Sequence, residues 1–412
     1  MTSTFGWLDR NDEQSKAVLD LIAQYKVSET IDEIGIGSIR DTFADALFPG
    51  TSTLHTRLRY ALFIPWLLQR SAQQQTPDAM EEAMRTHEIS LIYALLDKGE
   101  DGVIGAQAKA TLKRMPSAVY WAQLMTWGVV RSPSGRYMSM KRFFRHAHAS
   151  KSIRARAMTT DDPESWERSP LTALDPDLPE APSKLLSSVT FDLTPDEGAY
   201  LSTRIVESVP ESLLAWFVNH PPTKDAHFVW DLEPDEIAEF PPRLRSLVDH
   251  GRRFHTIIHG AGLVYNLLLT EKSEEMGWGE QVEGWVDHYQ SRLDDWRADL
   301  ESSGAMIGWN RREFWHALTR ENPRIPPRTR AFVDDWWDIL THTTPVVDSP
   351  AARRLIAERE RQIKGRRARL ANAQALETWR GDSGLTPLDY RWRTARQFLS
   401  DLHAAGETTD GA

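Results

Sequence analysis

Apolar residues recur at helical spacing along most of the chain. In 12–26, Val18, Leu21, Ile22 and Tyr25 fall on one helical face. A second helix is expected from Ser38, with Ile39, Phe43, Ala46 and Leu47 as its stripe. Ser38 is a natural N-cap, with Asp41 three residues on. Phe48-Pro49-Gly50 ends it, because Pro presets φ at one turn position and Gly accepts φ > 0 at the next. Thr51, Ser52 and Thr53 then offer hydroxyl caps for a helix over 54–70. From Tyr60 that helix is apolar on nearly every side, which predicts a buried central position, and Pro65 should kink it.

Further helices are expected over 80–97, 105–114 and 118–127. Two β-prone runs, 128–131 and 136–140, flank Ser132-Pro133-Ser134-Gly135 and predict a small hairpin. Five prolines in 161–182 mark a linker or surface-hugging segment. Helical patterning resumes at 194, where Thr194 is followed three residues later by Glu197. It continues over 243–271, 281–303, 309–320, 328–341 and 350–378. There is no fixed-period repeat, and the tail after His403 reads as polar and frayed. The expected fold is mainly α, multi-helical and multidomain, with an embedded winged helix-turn-helix-like module. The expected divisions are an N-terminal helical hairpin (1–80), a basic module (81–160), a Pro-rich linker (161–190), a helical domain (191–345) and a C-terminal basic, Trp-rich segment (346–412).

Composition narrows the chemistry. Hydrophobic residues make up 41% and charged residues 26% of the chain, so it can bury real cores. The 16 tryptophans are expected as core anchors. The absence of cysteine excludes disulfides, thiolate zinc sites, iron–sulfur clusters and a cysteine nucleophile. The first residues lack the basic and apolar regions of a signal peptide, and no apolar run approaches the ~18 residues of a membrane span. A cytoplasmic protein with no membrane partner is expected.

The net charge of −10 hides an uneven distribution. Residues 102–160 contain no Asp or Glu and 11 Lys and Arg, leaving 38 basic residues to face all 59 acidic ones elsewhere. Within this stretch the order helix (107–114), turn (115–117), helix (118–127) and hairpin is that of a winged helix-turn-helix, whose second helix enters the major groove. Gln123 and Thr126 on the helix, with Arg131, Arg136, Lys141, Arg142, Arg145 and Lys151 on and after the wing, are the candidate nucleic-acid contacts, duplex DNA being the expected partner. The bland alternative is a solvated face on a protein–protein module. A second basic stretch, 350–370, begins with Ser349 as cap and Pro350 at the first helical position. Ile356, Ile363 and Leu370 give it an apolar seam. It reads as a surface helix, with phosphate contact as the functional alternative.

The span 32–60 concentrates polar chemistry. Gly50 to Thr53 would start a helix, and with Thr51, Ser52, Thr53, Arg57 and Arg59 it forms a candidate anion site. No lysine completes a Walker pattern, and Gly35-Ile36-Gly37 lacks the third glycine of a dinucleotide fingerprint. Asp41 and Asp45 share a helix face and could, with Asp32 and Glu33, hold Mg²⁺ for phosphodiester cleavage. Arg40, Arg57 and Arg59 are equally placed to pair with them, which predicts an architectural hairpin. His255 and His259 have the i, i+4 spacing of zinc ligands but no third ligand. Gly381-Asp382-Ser383-Gly384 mimics a serine-protease motif in an all-helical setting and reads as a loop.

Several short motifs stand together: FGWLD (5–9), DEIGIGSIRD (32–41), LFPGTST (47–53), TRLRY (56–60), IPW (64–66), YW (120–121) with WG (127–128), FDLT (191–194), VYN (264–266), WRGDSG (379–384) and LDYRW (388–392). In this pattern the chain resembles a family of bacterial proteins of unknown function, of similar length throughout. The resemblance implies a cytoplasmic bacterial protein, sometimes encoded near helicases, nucleases and other anti-phage or mobile-element genes, and brings no catalytic residues. The functional expectation is a non-enzymatic nucleic-acid-binding subunit of a bacterial defence complex, working with other protein subunits and without cofactor or metal. A metal-dependent nuclease built on Asp41 and Asp45, and a scaffold without nucleic acid, are the competing readings.

Overall fold

The computed structural model describes residues 32–157, 173–341 and 346–407, and the side chains of 152–157 and of residue 407 lie outside that description. The helix expected over 12–26, the 5–9 motif and the start of the Pro-rich segment fall outside it. Among the described residues there are fifteen α-helices: α1 Gly37–Leu47, α2 Tyr60–Ser71, α3 Pro77–Asp97, α4 Pro116–Thr126, α5 Met140–Ala157, α6 Pro195–Ser208, α7 Leu213–Asn219, α8 Pro234–Glu239, α9 Pro242–Glu275, α10 Trp285–Ser302, α11 Arg311–Glu321, α12 Pro327–Leu340, α13 Pro350–Lys364, α14 Ala373–Leu376 and α15 Trp392–Glu407. Among the described residues there is no named strand, only an isolated antiparallel bridge between Val130 and Leu174. The protein is mainly α, as its periodicity predicts.

Of the described residues, 32–39, 253–312 and 323–387 form one compact unit, and 40–252, 313–322 and 388–407 form a second. Each is assembled from segments far apart in the chain.

The second unit is built around α2. Tyr60 to Trp66, Leu67 and Leu68 are all buried, so the all-round apolar pattern does mark a central helix. It packs on α3 and α4, and α3 packs on α5. The helix α6 carries the capping box its sequence predicts. Glu197 N donates to Thr194 Oγ1 (3.3 Å) and Thr194 N donates to the Glu197 carboxylate (3.1 Å). It packs on α7 and α15. The helix α1 stops at Leu47, and Gly50 turns with φ +82°. Trp127 Nε1, which donates to Pro49 O (3.1 Å), lies 2.5 Å from where a Cβ on Gly50 would sit, so only glycine fits.

The first unit packs α12 on α13. Its tryptophans act as anchors whose indole N–H finds a carbonyl. Trp336 donates to Ile257 O (2.8 Å), Trp296 donates to Thr256 O (2.7 Å), and Trp309 stacks on Trp337 at 4.0 Å. Ser349 caps α13 by accepting from Ala352 N (3.3 Å), with Pro350 at its first position as expected.

Candidate functional site

The basic stretch does not fold as a winged helix. Of 107–114 only Lys109–Thr111 forms a single 3-10 turn. The helix α4 does follow, but no hairpin succeeds it. Arg131 N donates to Ala173 O (2.7 Å) and Asp175 N donates to Val129 O (3.0 Å). The backbone that was to pair with 136–140 is therefore taken by the Pro-rich segment. The Met138 carbonyl accepts from Trp121 Nε1 (2.6 Å), and α5 begins at Met140. That Pro-rich segment is held, not loose, where it is described: Asp175 is 3% exposed and accepts from Arg131 (2.9 Å) and Arg204 (2.6 Å).

This rearrangement sorts the candidate contacts. Gln123 is fully buried, and Thr126 donates its hydroxyl to Ala122 O (2.8 Å), so α4 offers no free side chain for base reading. Arg131 is spent on Asp175 and Gly128 O, and Lys151 is half-buried with Nζ 3.5 Å from Gln74 O. Arg136, Lys141, Arg142 and Arg145 are exposed, and their side chains have no hydrogen-bond or ion-pair partner among the described residues. Lys141, Arg142 and Arg145 stand on the first turns of α5, at i, i+1 and i+4. On the opposite side of that helix Phe143, Phe144 and Ala147 are buried. The amphipathic pattern thus turns the cations to solvent. Tyr137, beside Arg136, is 48% exposed.

The candidate anion site is closed by the protein's own groups. The helix whose N-terminus was placed at Gly50–Thr53 begins only at Tyr60, so no row of free helix N–H groups faces outward there. Thr51 Oγ1 donates to Phe48 O (2.6 Å), and Ser52 Oγ accepts from Leu54 N (3.3 Å). Thr53 lies in the same turn and is exposed. The segment instead wraps around Tyr120, whose hydroxyl accepts from Thr56 N (2.9 Å) and Arg57 N (3.2 Å) and donates to Arg57 O (2.9 Å). Asp401 on α15 accepts from Arg57 Nε (3.1 Å) and Leu58 N (2.8 Å), and Glu197 on α6 accepts from Arg59 (2.7 Å). His55 stacks on Tyr120 at 4.1 Å, and burial pushes its imidazole down to about 3.

The four carboxylates proposed as a magnesium cluster part company. Asp32 accepts from Ile36 N and Gly37 N, both at 2.8 Å, and so caps the start of α1. Asp41 pairs with Arg40 (2.9 Å), and Arg391 lies 3.9 Å from Asp41 and 2.6 Å from Asp45. Among the described residues no three His, Asp or Glu side chains converge as metal ligands, and this covers His255 and His259. Burial lowers the pKa of His259.

The first unit holds a buried polar cluster around Glu33. Arg369 Nη1 donates to its two oxygens (3.0 and 2.9 Å), and Lys364 Nζ also donates to it. Lys364 donates further to Tyr265 OH (2.7 Å), which donates to Glu360 (2.5 Å). Glu360 in turn accepts from the backbone N–H of Arg369 (2.7 Å) and Leu370 (3.1 Å). Burial and the neighbouring Glu360 carboxylate push the Tyr265 phenol far above its ordinary range. Ser383, the serine of the protease-like motif, accepts from Arg369 (2.8 Å) and lies 3.4 Å from Glu33, with no histidine base against its Oγ among the described residues. A Cβ on Gly262 would stand 2.7 Å from Gly384 O, so glycine lets this loop lie on α9. One turn later, Asn266 accepts from Ser383 N (3.1 Å) and Trp379 Nε1 (3.0 Å) and donates to Ser383 O (2.7 Å). DEIGIGSIRD, VYN and WRGDSG thus share one site, in which each donor named meets an acceptor.

The helix α13 spends its inward cations here too. Arg359 is 5% exposed and donates to Ile34 O (3.0 Å), Gly35 O (2.7 Å) and Thr329 Oγ1 (3.0 Å), and Arg353 forms a bidentate pair with Glu271. Only its outer cations, such as Arg361, and Arg366 and Arg367 just beyond it, remain solvent-facing. Elsewhere, a cleft of about 250 Å³ opens between 243–250 and 313–321. Its Arg243 is held by Glu321 at 2.7 and 3.0 Å, and Glu313 offsets Arg320 in charge.

No described helix is long and apolar enough to cross a membrane. Neither the curated proteins nor the solved structures contain a match to the chain. A model of a family of unknown function (DUF6361) matches residues 2–406, so the chain belongs to that family.

Proposed function

We propose that this member of the family holds nucleic acid by its phosphates, along residues 136–145. The observation that supports the reading is the set Arg136, Lys141, Arg142 and Arg145, four solvent-facing cations whose side chains have no partner among the described residues, inside a stretch that contains no carboxylate between 102 and 160. Surface cations are usually neutralised by neighbouring acids in a chain of net charge −10. Here they remain available for counterion exchange with a phosphate backbone. With Gln123 buried and the Thr126 hydroxyl committed to Ala122 O, α4 offers no base-reading side chain, so the binding is expected to be weakly sequence-dependent. No catalytic residue is assigned. The nuclease reading is disfavoured because Asp41 and Asp45 both lie against Arg391.

The test is fluorescence anisotropy of labelled nucleic acid across a salt series, wild type against Lys141→Ala/Arg142→Ala/Arg145→Ala. Binding should weaken linearly in log–log form. The triple variant should bind less tightly, with a slope shallower by roughly 2–3, about 0.7–0.9 per lost contact. No binding at low salt, or an unchanged slope in the variant, would overturn the proposal.

A further inference from the structure

We infer that the chain carries a second phosphate-binding surface, separate from 136–145, made by Arg361, Arg366 and Arg367 where α13 ends. The inference rests on the reading above that the protein holds nucleic acid, and extends it to the first compact unit. Residues 361–376 contain no Asp or Glu and five Lys and Arg. Folding divides those five. Lys364 and Arg369 turn inward to Glu33, and Lys364 also lies 3.5 Å from Glu360. Arg361, Arg366 and Arg367 are exposed, and their side chains have no partner among the described residues. The inner two already balance the buried acids, so the outer three are surplus to the cluster.

Arg366 and Arg367 are presented from a fixed backbone. Gly365 ends α13 with φ +56° and leads into a single 3-10 turn, Gly365–Arg367. Asn372 Nδ2 donates to Arg366 O (2.9 Å), Ala368 N donates to Gly365 O (3.1 Å), and Ala368 is buried. The N–H groups of Arg369 and Leu370 donate to Glu360. A turn held at so many points loses little backbone freedom when a ligand arrives. The three cations exposed in 361–376 are all arginines, while the one lysine faces inward. A guanidinium presents a planar fork that matches two phosphate oxygens at once and is more weakly hydrated than an ammonium. Gln362, exposed beside them, adds a neutral amide donor. Glu358 is exposed three residues before Arg361, so it precedes the arginines in the chain and does not interrupt them. Cations at a helix C-terminus also offset the helix dipole, but Lys364 in the last turn already does so.

The experiment uses the full chain and a labelled DNA duplex of about 30 base pairs, roughly 100 Å long at ~3.4 Å per base pair, in a salt series. Arg361→Ala/Arg366→Ala/Arg367→Ala is compared with wild type and with Lys98→Ala/Lys184→Ala/Arg393→Ala. The latter is a control that removes three other exposed cations and the same net charge. The arginine variant should lower the log–log slope by roughly 2–3, about 0.9 per lost contact, and the control by less than about 1. Arg366→Ala/Arg367→Ala, which leaves the helix untouched, should give about two-thirds of the arginine variant's change. Added to Lys141→Ala/Arg142→Ala/Arg145→Ala, the three arginine substitutions should weaken binding at least about tenfold further at low salt. All three sites are exposed, so denaturation midpoints should match that of wild type. A slope no lower than the control's, or no further weakening in the combined variant, overturns this inference. The phosphate reading then stands on the loss in the 141/142/145 variant alone. No binding by wild type overturns both.

Discussion

Arg59 donates to Glu197 Oε1 at 2.7 Å, from one buried side chain to another. The same carboxylate accepts from Thr194 N, so one acid both caps α6 and neutralises the arginine that precedes α2. Removing Arg59 leaves a charged carboxylate without its counterion in a dry site. Arg59→Ala should therefore cost about 3–5 kcal/mol, read as a drop in denaturation midpoint. Glu197→Gln, which keeps an acceptor for the cap, should cost less than Glu197→Ala. An unchanged midpoint for Arg59→Ala would contradict this account.

Two buried titratable groups in the same unit oppose one another in pH. Glu88 accepts from Ser117 N (2.7 Å) and burial raises its pKa to about 7. Its folded form binds the proton more tightly than the unfolded chain, so its contribution is full below pH 4.5 and is lost as pH rises towards 7, by about 3 kcal/mol. His55 is held neutral by burial, with a pKa of about 3. Its contribution is full above pH 6.5 and is lost as pH falls towards 3, by about 5 kcal/mol. Between pH 4.5 and 6.5 the two slopes cancel. Glu88→Gln should unmask the histidine, giving stability that climbs more steeply with pH across that window than it does in wild type. Urea titrations at pH 4.5, 5.5 and 6.5 check this.

Gln123 is buried with both amide heavy atoms unpartnered among the described residues. A buried amide without hydrogen bonds is costly, and a thioether of the same length loses nothing there. Gln123→Met should raise stability by about 1–2 kcal/mol. Gln123→Leu should do so less well, because its shape differs. A fall in stability for both would show that the amide is satisfied in solution.

The cations of 350–370 should divide sharply under mutation. Lys364 is 13% exposed and joins Glu33, Tyr265 and Glu360. Lys364→Met should cost about 3–5 kcal/mol by leaving Glu33 and Glu360 undercompensated. Arg366→Ala and Arg367→Ala, at exposed positions, should stay within about 0.5 kcal/mol of wild type. Equal effects at all three would mean that the buried cluster carries no stability.

Much of the secondary structure was legible because it rests on contacts within one turn of chain. Thr194 and Glu197 make their capping box across three residues, Ser349 and Pro350 start α13, and Phe48-Pro49-Gly50 stops α1. The burial of α2 follows from its lack of any polar face. These are steric and hydrogen-bonding constraints that hold wherever the segment is placed. The hairpin failed because β-propensity says only that a run can pair, not with what. Here 129–131 found 173–175 rather than 136–140.

Tertiary structure alone decided which charges are free. Arg57 meets Asp401, Arg59 meets Glu197, Arg391 meets Asp45, and Glu33 meets Lys364 and Arg369. Those partners stand more than a hundred residues apart, beyond the reach of any local pattern. In sequence Arg359 and Arg361 look alike, yet helix geometry and packing bury one and expose the other. The same sorting spent Arg131 and left Arg136, Lys141, Arg142 and Arg145 facing solvent. A charge is available for function only after folding has paired the rest, and that pairing is set by which distant segments pack together.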